Sequence, residues 1–256
     1  LQDGPCPGLS DKKTGDTKNL EAILFKTISM NKIQHSKKGF SSLSVLLVII
    51  LTGLTIAVRA SADIIHKNNI IKEEEMFIGG RWDTATFAAG CFWCVEAQFS
   101  QLKGVKAVIS GFTGGKVANP SYKEVCTGLT GHAEACNIIY DPSVISFKQL
   151  LAAFFVAHDP TSLDRQGADV GTQYRSAIFY HNPSQKQLAE AVIRALNQQK
   201  VYDSPIVTEV TPYSVFYKAA DYHQDYYNQN KGVPYCQLVI KPKLDKFRKV
   251  FKSRLK

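Results

Sequence analysis

The run Gly90-Cys91-Phe92-Trp93-Cys94 places two thiols three residues apart, and no other stretch of the chain is so well suited to chemistry. A thiolate is both a nucleophile and a metal ligand, and two thiols at this spacing can close a disulfide once one has been oxidised. In front of the motif, Thr84 to Ala88 carries β-branched residues at alternate positions and predicts a strand. Behind it, Val95, Phe99 and Leu102 recur at helical spacing, and Gly104 supplies a stop. Cys91 is therefore expected at a strand-to-helix corner. Free amide N–H groups and the helix dipole there favour negative charge and would lower a thiol pKa into the reactive range. Cys94 falls on the same face one turn on, within reach of Cys91. Three readings of the pair stay open on the residues alone: packing thiols, half of a zinc site, or a redox couple. A second C-x-x-C or H-x-H pair is missing, and Cys126 and Cys136 stand too far apart to form one, which weighs against zinc.

Further chemistry-bearing residues follow in order. Tyr122 lies in Pro120-Ser121-Tyr122, Glu134 ends Gly131-His132-Ala133-Glu134, and Asp169 opens Asp169-Val170-Gly171-Thr172-Gln173-Tyr174-Arg175-Ser176. Together with Gly-Cys-Phe-Trp-Cys, these four motifs resemble the type A peptide methionine sulfoxide reductases, from about Thr84 to about Leu244. Reducing a sulfoxide requires a thiolate to attack sulfur and an acid to protonate the departing oxygen. The resemblance implies Cys91 as nucleophile and Glu134 as proton donor, its carboxyl kept neutral by burial or hydrogen bonds. It implies that Tyr122 and Tyr174 hydrogen-bond the polarised oxygen, that Asp169 supports the water network, and that Phe92 and Trp93 wall in the substrate's S-methyl group. A sulfenic acid on Cys91 would then be resolved by Cys94. Cys236, in Pro234-Tyr235-Cys236, is the alternative resolver or a second relay, since many relatives have Gly in place of Cys94. To reach Cys91 it would have to be delivered by a mobile C-terminal segment. The implied activity is thiol-dependent reduction of methionine S-sulfoxide, in oxidised proteins and as the free amino acid. No cofactor would be bound, and a thioredoxin-like donor would supply the electrons. Cys126 and Cys136 are expected in the core, His132 and His158 as satisfied polar residues, and His223 is given no role.

Along the chain, the patterns predict a strand at 105–109 and a glycine-rich loop at 111–115. A helical turn at 122–126, a strand at 135–140 and a helix at 147–158 come next. A polar loop follows at 164–174, then a strand at 177–180, a helix from Pro183 to about Gln199 and a strand at 206–210. Helices close the chain at 222–230 and 243–255, the last with an apolar stripe of Leu244, Phe247, Val250 and Phe251 among basic residues. Strands and helices interleave, which argues for a sheet with helices packed on it. The resemblance adds the topology: an α+β two-layer sandwich with a ferredoxin-like core and a mixed sheet.

The 256 residues, 45% of them hydrophobic, suffice for one substantial domain plus an extension. Residues 1–29 are polar and are expected to be a non-native or mis-assigned leader, with Met30 as initiator. Residues 30–62 read as an export signal: Lys32, Lys37 and Lys38 precede an apolar run over residues 40–58, and Ala60-Ser61-Ala62 is an A-x-A site. A retained membrane anchor or a prepilin-like leader would fit the same run, and all three lead to the periplasm or cell envelope. Residues 63–83 form a polar tether, and residues 84–256 the catalytic domain, expected to be monomeric. The formal charge of +9 does not indicate nucleic acid. Residues 1–62 hold eight Lys/Arg against four Asp/Glu, and 241–256 eight against one, so the body between them is slightly acidic. A thioredoxin-type thiol–disulfide oxidoreductase and a membrane-anchored zinc or scaffold protein are the competing classes.

Overall fold

The computed structural model of the chain describes residues 82–256. The expected leader, the signal or anchor and nearly all of the tether lie outside the described residues. Among the described residues, no helix is long and apolar enough to cross a membrane. In chain order the strands are β1 (Asp83–Ala89), β2 (Val105–Thr113), β3 (Ala133–Tyr140), β4 (Arg165–Gln166), β5 (Asp169–Val170), β6 (Ser176–Tyr180), β7 (Glu209–Pro212) and β8 (Phe216–Lys218). The helices are α1 (Phe92–Phe99), α2 (Tyr122–Cys126), α3 (Phe147–Ala157), α4 (Pro183–Gln198), α5 (Tyr226–Gln229) and α6 (Lys241–Val250).

Six strands form one sheet in the order β7-β6-β1-β3-β2-β8, antiparallel except for the parallel pair β6–β7. The run β1-α1-β2-β3-α3-β6, with inner order β6-β1-β3-β2, is the split βαβ arrangement of a ferredoxin-like core. The α+β fold with a mixed sheet is therefore as expected. Alternation along β1 sets the two faces. Ala85, Phe87 and Ala89 point into the main core, where the Phe87 ring meets Phe154 at 4.9 Å and Phe99 at 5.8 Å. On the opposite face Ala88 packs with Ala133, Ala135, Ala177 and Phe179 in a smaller cluster.

Four elements differ from expectation. The strand expected to stop at Ile109 continues to Thr113: β3 pairs along its whole length, and β8, which had no clear signal of its own, pairs with its far end on the other side. Gly111 allows that pairing, since a Cβ there would strike the Tyr217 carbonyl and the Phe216 ring. The strand expected at 206–210 forms at Glu209–Pro212, after Val207 has donated its N–H to the Pro160 carbonyl (2.9 Å). The helix expected over 222–230 breaks into a 3₁₀ turn (Asp221–His223) and α5, separated by Asp225 in the left-handed region at φ 50°. The basic C-terminal helix begins at Lys241, follows a wide turn over Cys236–Ile240, and ends at Val250 with Phe251 as its C-cap. Leu244, Phe247 and Phe251 of its stripe are buried, and Val250 packs against the core.

Candidate active site

Gly90 makes the corner between β1 and α1. Its φ of +83° is one that L side chains rarely adopt, and a Cβ there would collide with the Gln166 side chain. Cys91 follows as the N-cap of α1, with extended ψ (122°) and no capping bond from its side chain. The first helical amide is engaged instead by a carboxyl: Phe92 N–H donates to Glu134 Oε2 at 3.0 Å. Glu134 sits near the start of β3, opposite Phe112 of β2, and is 1% exposed.

This arrangement decides the protonation states. Burial raises the Glu134 carboxyl well above its ordinary range; the Phe92 N–H opposes that shift, while the negative charges of Asp169 and Cys94 add to it. Glu134 is thus a neutral acid whose second oxygen remains available to donate. Cys91 departs from expectation. Burial raises its thiol well above the usual value, and the hydrogen bond with Cys94 and the proximity of Glu134 and Asp169 push it the same way. The helix N-terminus does not prevail, because Glu134 occupies the amide that would have served the thiolate. Cys94 moves in the opposite direction. The hydrogen bond from Cys91 lowers its pKa against the cost of burial, and Lys243 and Tyr235 lower it further. Of the two thiols, Cys94 is therefore the more readily ionised. Both sulfurs are free and buried.

The remaining expected residues converge here. Tyr122 is the first residue of α2, which is held by a capping box: Ser121 Oγ accepts from Glu124 N–H, and Glu124 Oε2 accepts from Ser121 N–H at 2.7 Å. Tyr174 ends the 3₁₀ turn Thr172–Tyr174, close enough to Glu134, Cys91, Tyr122 and Asp169 for their charges to act on it, behind burial as the main cause of its raised pKa. Asp169, on β5, accepts a hydrogen bond from Tyr235 Oη at 3.0 Å. Burial raises its carboxyl, and Lys243 and Tyr235 hold that rise in check. Phe92 and Trp93 are fully enclosed: Phe92 lies near-parallel to Tyr122 at 6.2 Å, and Trp93 stacks on Tyr226 at 3.8 Å and 10°. All eight candidate residues thus lie buried in one aromatic-rich cluster.

Four neighbours were not assigned from sequence. Tyr226 supplies the ring under Trp93, Tyr235 binds Asp169, and His223 lies 4.5 Å from the Tyr122 ring. Lys243 Nζ lies 3.9 Å from Cys94 Sγ. Tyr235 and His223 stood in short motifs that could have flagged them, whereas Tyr226 and Lys243 carried no local signal. Cys236, expected on a mobile segment, is fully buried, and its pKa is raised by burial and then by the charge of Cys94. Cys136 lies in the core as expected, and Cys126 is half-buried against it. His132 is a satisfied polar residue: Gly115 N–H donates to its Nδ1 (3.1 Å), which leaves Nε2–H to donate to the Val117 carbonyl (2.7 Å). His158 is held between the Phe154 carbonyl and Ser176 Oγ, and burial lowers its pKa to about 4. Among the described residues, no group of three His, Cys, Asp or Glu side chains could hold a metal ion.

Comparison with known proteins gives one answer. The family model described as peptide methionine sulfoxide reductase matches residues 83–255. A peptide methionine sulfoxide reductase MsrA from Thermus thermophilus is 53% identical over 174 residues, covering 68% of this chain and 98% of that protein. The MsrA of Deinococcus radiodurans is 52% identical over 178 residues, covering 70% and 86%. Among solved structures, methionine sulfoxide reductase A of Corynebacterium diphtheriae superposes with a TM-score of 0.57 at 36% identity, covering 60% of this chain and 77% of that one. Reduced Mxr1 from Saccharomyces cerevisiae gives 0.58 at 32%, covering 61% and 90%. With its ferredoxin-like core, its neutral buried carboxyl beside a thiol pair and this breadth of likeness, the chain belongs to the peptide methionine sulfoxide reductase family.

Proposed function

We propose that Cys91 is the sulfur that attacks and Glu134 the acid in this enzyme's thiol-dependent reduction of methionine S-sulfoxide to methionine. The observation that carries the assignment is the bond from Phe92 N–H to Glu134, which fixes a neutral carboxyl at the helix start beside Cys91. The substrate's S-methyl group lies against Phe92 and Trp93, while Tyr122 and Tyr174 donate O–H bonds to the sulfoxide oxygen. As Cys91 attacks, its proton passes along the hydrogen bond to Cys94, and Glu134 protonates the oxygen. The S–O oxygen ends on Cys91 as a sulfenic acid, and the substrate leaves as a thioether. Asp169, held by Tyr235, keeps the polar side of the pocket ordered.

Cys94 passes the proton it took from Cys91 on to the Glu134 carboxylate and, as a thiolate, attacks the sulfenic sulfur; hydroxide leaves and takes a proton from solvent, giving a Cys91–Cys94 disulfide and water. Its thiol is already hydrogen-bonded to Cys91, so closure needs no loop movement. Buried Cys236, within range of the charge on Cys94, takes over the disulfide as a second relay. A thioredoxin-like dithiol is the external reductant in this scheme, and no bound cofactor takes part. Oxidised proteins are the main substrates and free methionine sulfoxide the lesser one. The basic n-region, apolar run and Ala60-Ser61-Ala62 support export to the periplasm or cell envelope, by a cleaved signal or an anchor over residues 40–58.

The test uses both enantiomers of methyl p-tolyl sulfoxide with dithiothreitol. The S enantiomer should be consumed and the R enantiomer spared, and Cys91→Ser should abolish turnover. Without reductant, one turnover should leave a Cys91–Cys94 disulfide on peptide mapping, and Cys94→Ser should yield one sulfide product per enzyme but fail to recycle with a thioredoxin. Activity retained by Cys91→Ser, or a Cys91–Cys236 bond as the first species formed, would overturn the assignment of the corresponding sulfur.

A further inference from the structure

Lys243 stands apart from the other basic residues of the C-terminal helix. Lys241 reaches out to pair with Asp245 at 2.6 Å on the exposed face. Lys243, two residues on, is partly buried and turns inward, with Nζ 3.9 Å from Cys94 Sγ. Its backbone is held in place from the same helix that carries the cysteines. Gln98 of α1, 2% exposed, donates from Nε2 to the carbonyls of Ala157 (3.4 Å) and Lys243 (3.5 Å). Leu244 beside it is fully buried, so the lysine's position is fixed by packing.

Burying an ammonium is costly unless an opposite charge compensates it. Burial works to lower the Lys243 pKa, yet the charges of Cys94, Cys91 and Asp169 outweigh that and the net shift is upward. The groups around Cys94 are Cys91 at the N-cap of α1, Glu134 on β3, Asp169 on β5, Tyr235 and Cys236 ahead of α6, and Lys243 itself. Lys243 is the cation of that set.

Resting on the assignment of Cys94 as resolver, we propose that Lys243 is a catalytic residue of the recycling half of the reaction, whose ammonium holds Cys94 as the thiolate that attacks the Cys91 sulfenic acid. In that step the Cys94 thiolate supplies the electron pair of the new S–S bond. The S–O bond of Cys91 breaks, hydroxide leaves, and a proton from solvent completes water. Once Cys236 has attacked Cys94 and released Cys91, the same charge stabilises Cys94 as the leaving thiolate when a dithiol donor attacks the Cys94–Cys236 disulfide at Cys236, and a leaving thiol of lower pKa departs faster.

The test reads Cys94 directly. In a Cys91→Ser background, iodoacetamide labelling of Cys94 against pH, scored by peptide mass, should have a midpoint about one pH unit higher in Lys243→Met. That corresponds to about tenfold less thiolate at neutral pH. Lys243→Arg should keep the low midpoint, and Lys243→Gln should behave as Met does, which separates charge from packing. With all native cysteines present, the Cys91 sulfenic acid, trapped with dimedone, should survive about threefold longer in Lys243→Met, because a more basic thiolate partly offsets its lower abundance. Coincident labelling profiles for the Lys and Met proteins, or an Arg variant no better than Met, would overturn the proposal while leaving the Cys91–Cys94 disulfide intact. A Cys91–Cys236 bond as the first linkage would instead overturn the resolver assignment, and the role of Lys243 with it.

Discussion

Glu134 and Cys91 compete for one resource, the first free amide of α1, and Glu134 holds it. Burial to 1% exposure, only partly opposed by a single N–H partner, raises this carboxyl well above its ordinary range and so favours the protonated state that an acid catalyst needs. Glu134→Gln keeps an acceptor for Phe92 N–H but has no proton of useful acidity. Single-turnover sulfoxide reduction should slow by about 10²–10⁴-fold, the usual span of general acid catalysis, with a smaller change in substrate affinity. The sign of the pH effect follows from the raised pKa. The wild-type single-turnover rate should fall as pH rises through the folded-state pKa of Glu134, and Glu134→Gln should lack that descending limb. A rate that Gln leaves unchanged would transfer the proton to Tyr122 or Tyr174.

At the scale of elements, α1 serves both the chemistry and the architecture. Its first residues carry the thiols, and Glu96 one turn later ties down α5: Asp225 N–H donates to Glu96 Oε1 at 2.8 Å. That bond sits at the left-handed residue that splits the expected 222–230 helix, and it sets Tyr226 under Trp93. Burial raises the Glu96 pKa from 4.5 to about 7, against the hydrogen bonds from Asp225, Ser110 and Tyr226. The folded form thus binds the proton more tightly than the unfolded chain. The stability that goes with protonation is full below about pH 4.5 and is lost as pH rises through 7. Its size is at most about 3 kcal/mol. Urea unfolding at pH 5 and 8 should show the wild type losing stability relative to Glu96→Gln across that interval. Parallel behaviour of the two proteins would place the titration elsewhere.

For the whole molecule, the C-terminal segment is what closes the domain around the site. Lys103 N–H donates to the Arg254 carbonyl (2.8 Å) and Lys256 N–H to the Gln101 carbonyl (2.9 Å), while Leu102 and Leu255 form a β-bridge. Phe251 is 1% exposed and lies 4.7 Å from the Phe247 ring. The segment thus fastens to the far end of α1 as Lys243 and Cys236 approach its near end. Phe251→Ala should cost about 3–5 kcal/mol, as for other buried aromatic truncations. A urea midpoint within experimental error of the wild type would mean that this strap contributes little.

Much of the site was legible in the sequence because its key pairings are local. Cys91 and Cys94 share one helical turn, Ser121 and Glu124 cap the helix that opens with Tyr122, and Asp169 to Tyr174 arrive on one short run. The alternating residues of β1 and the Asn182 cap of α4 likewise announced their elements. What spans the fold could not be read. The extension of β2 is paired on one side by β3 and on the other by β8, a strand distant in sequence, and the break before α5 coincides with a bond 129 residues long. The charge state of the thiols was decided the same way. A helix N-terminus is a local feature and predicted an acidic Cys91, but burial, the bond with Cys94 and a carboxyl from β3 reversed it, while the bond with Cys91 and the charge of a lysine from α6 lowered the Cys94 thiol instead. Residue types and helical spacing fix which groups the chain can offer. Protonation depends on desolvation and on charges a few ångströms away, and only the tertiary structure brings those together.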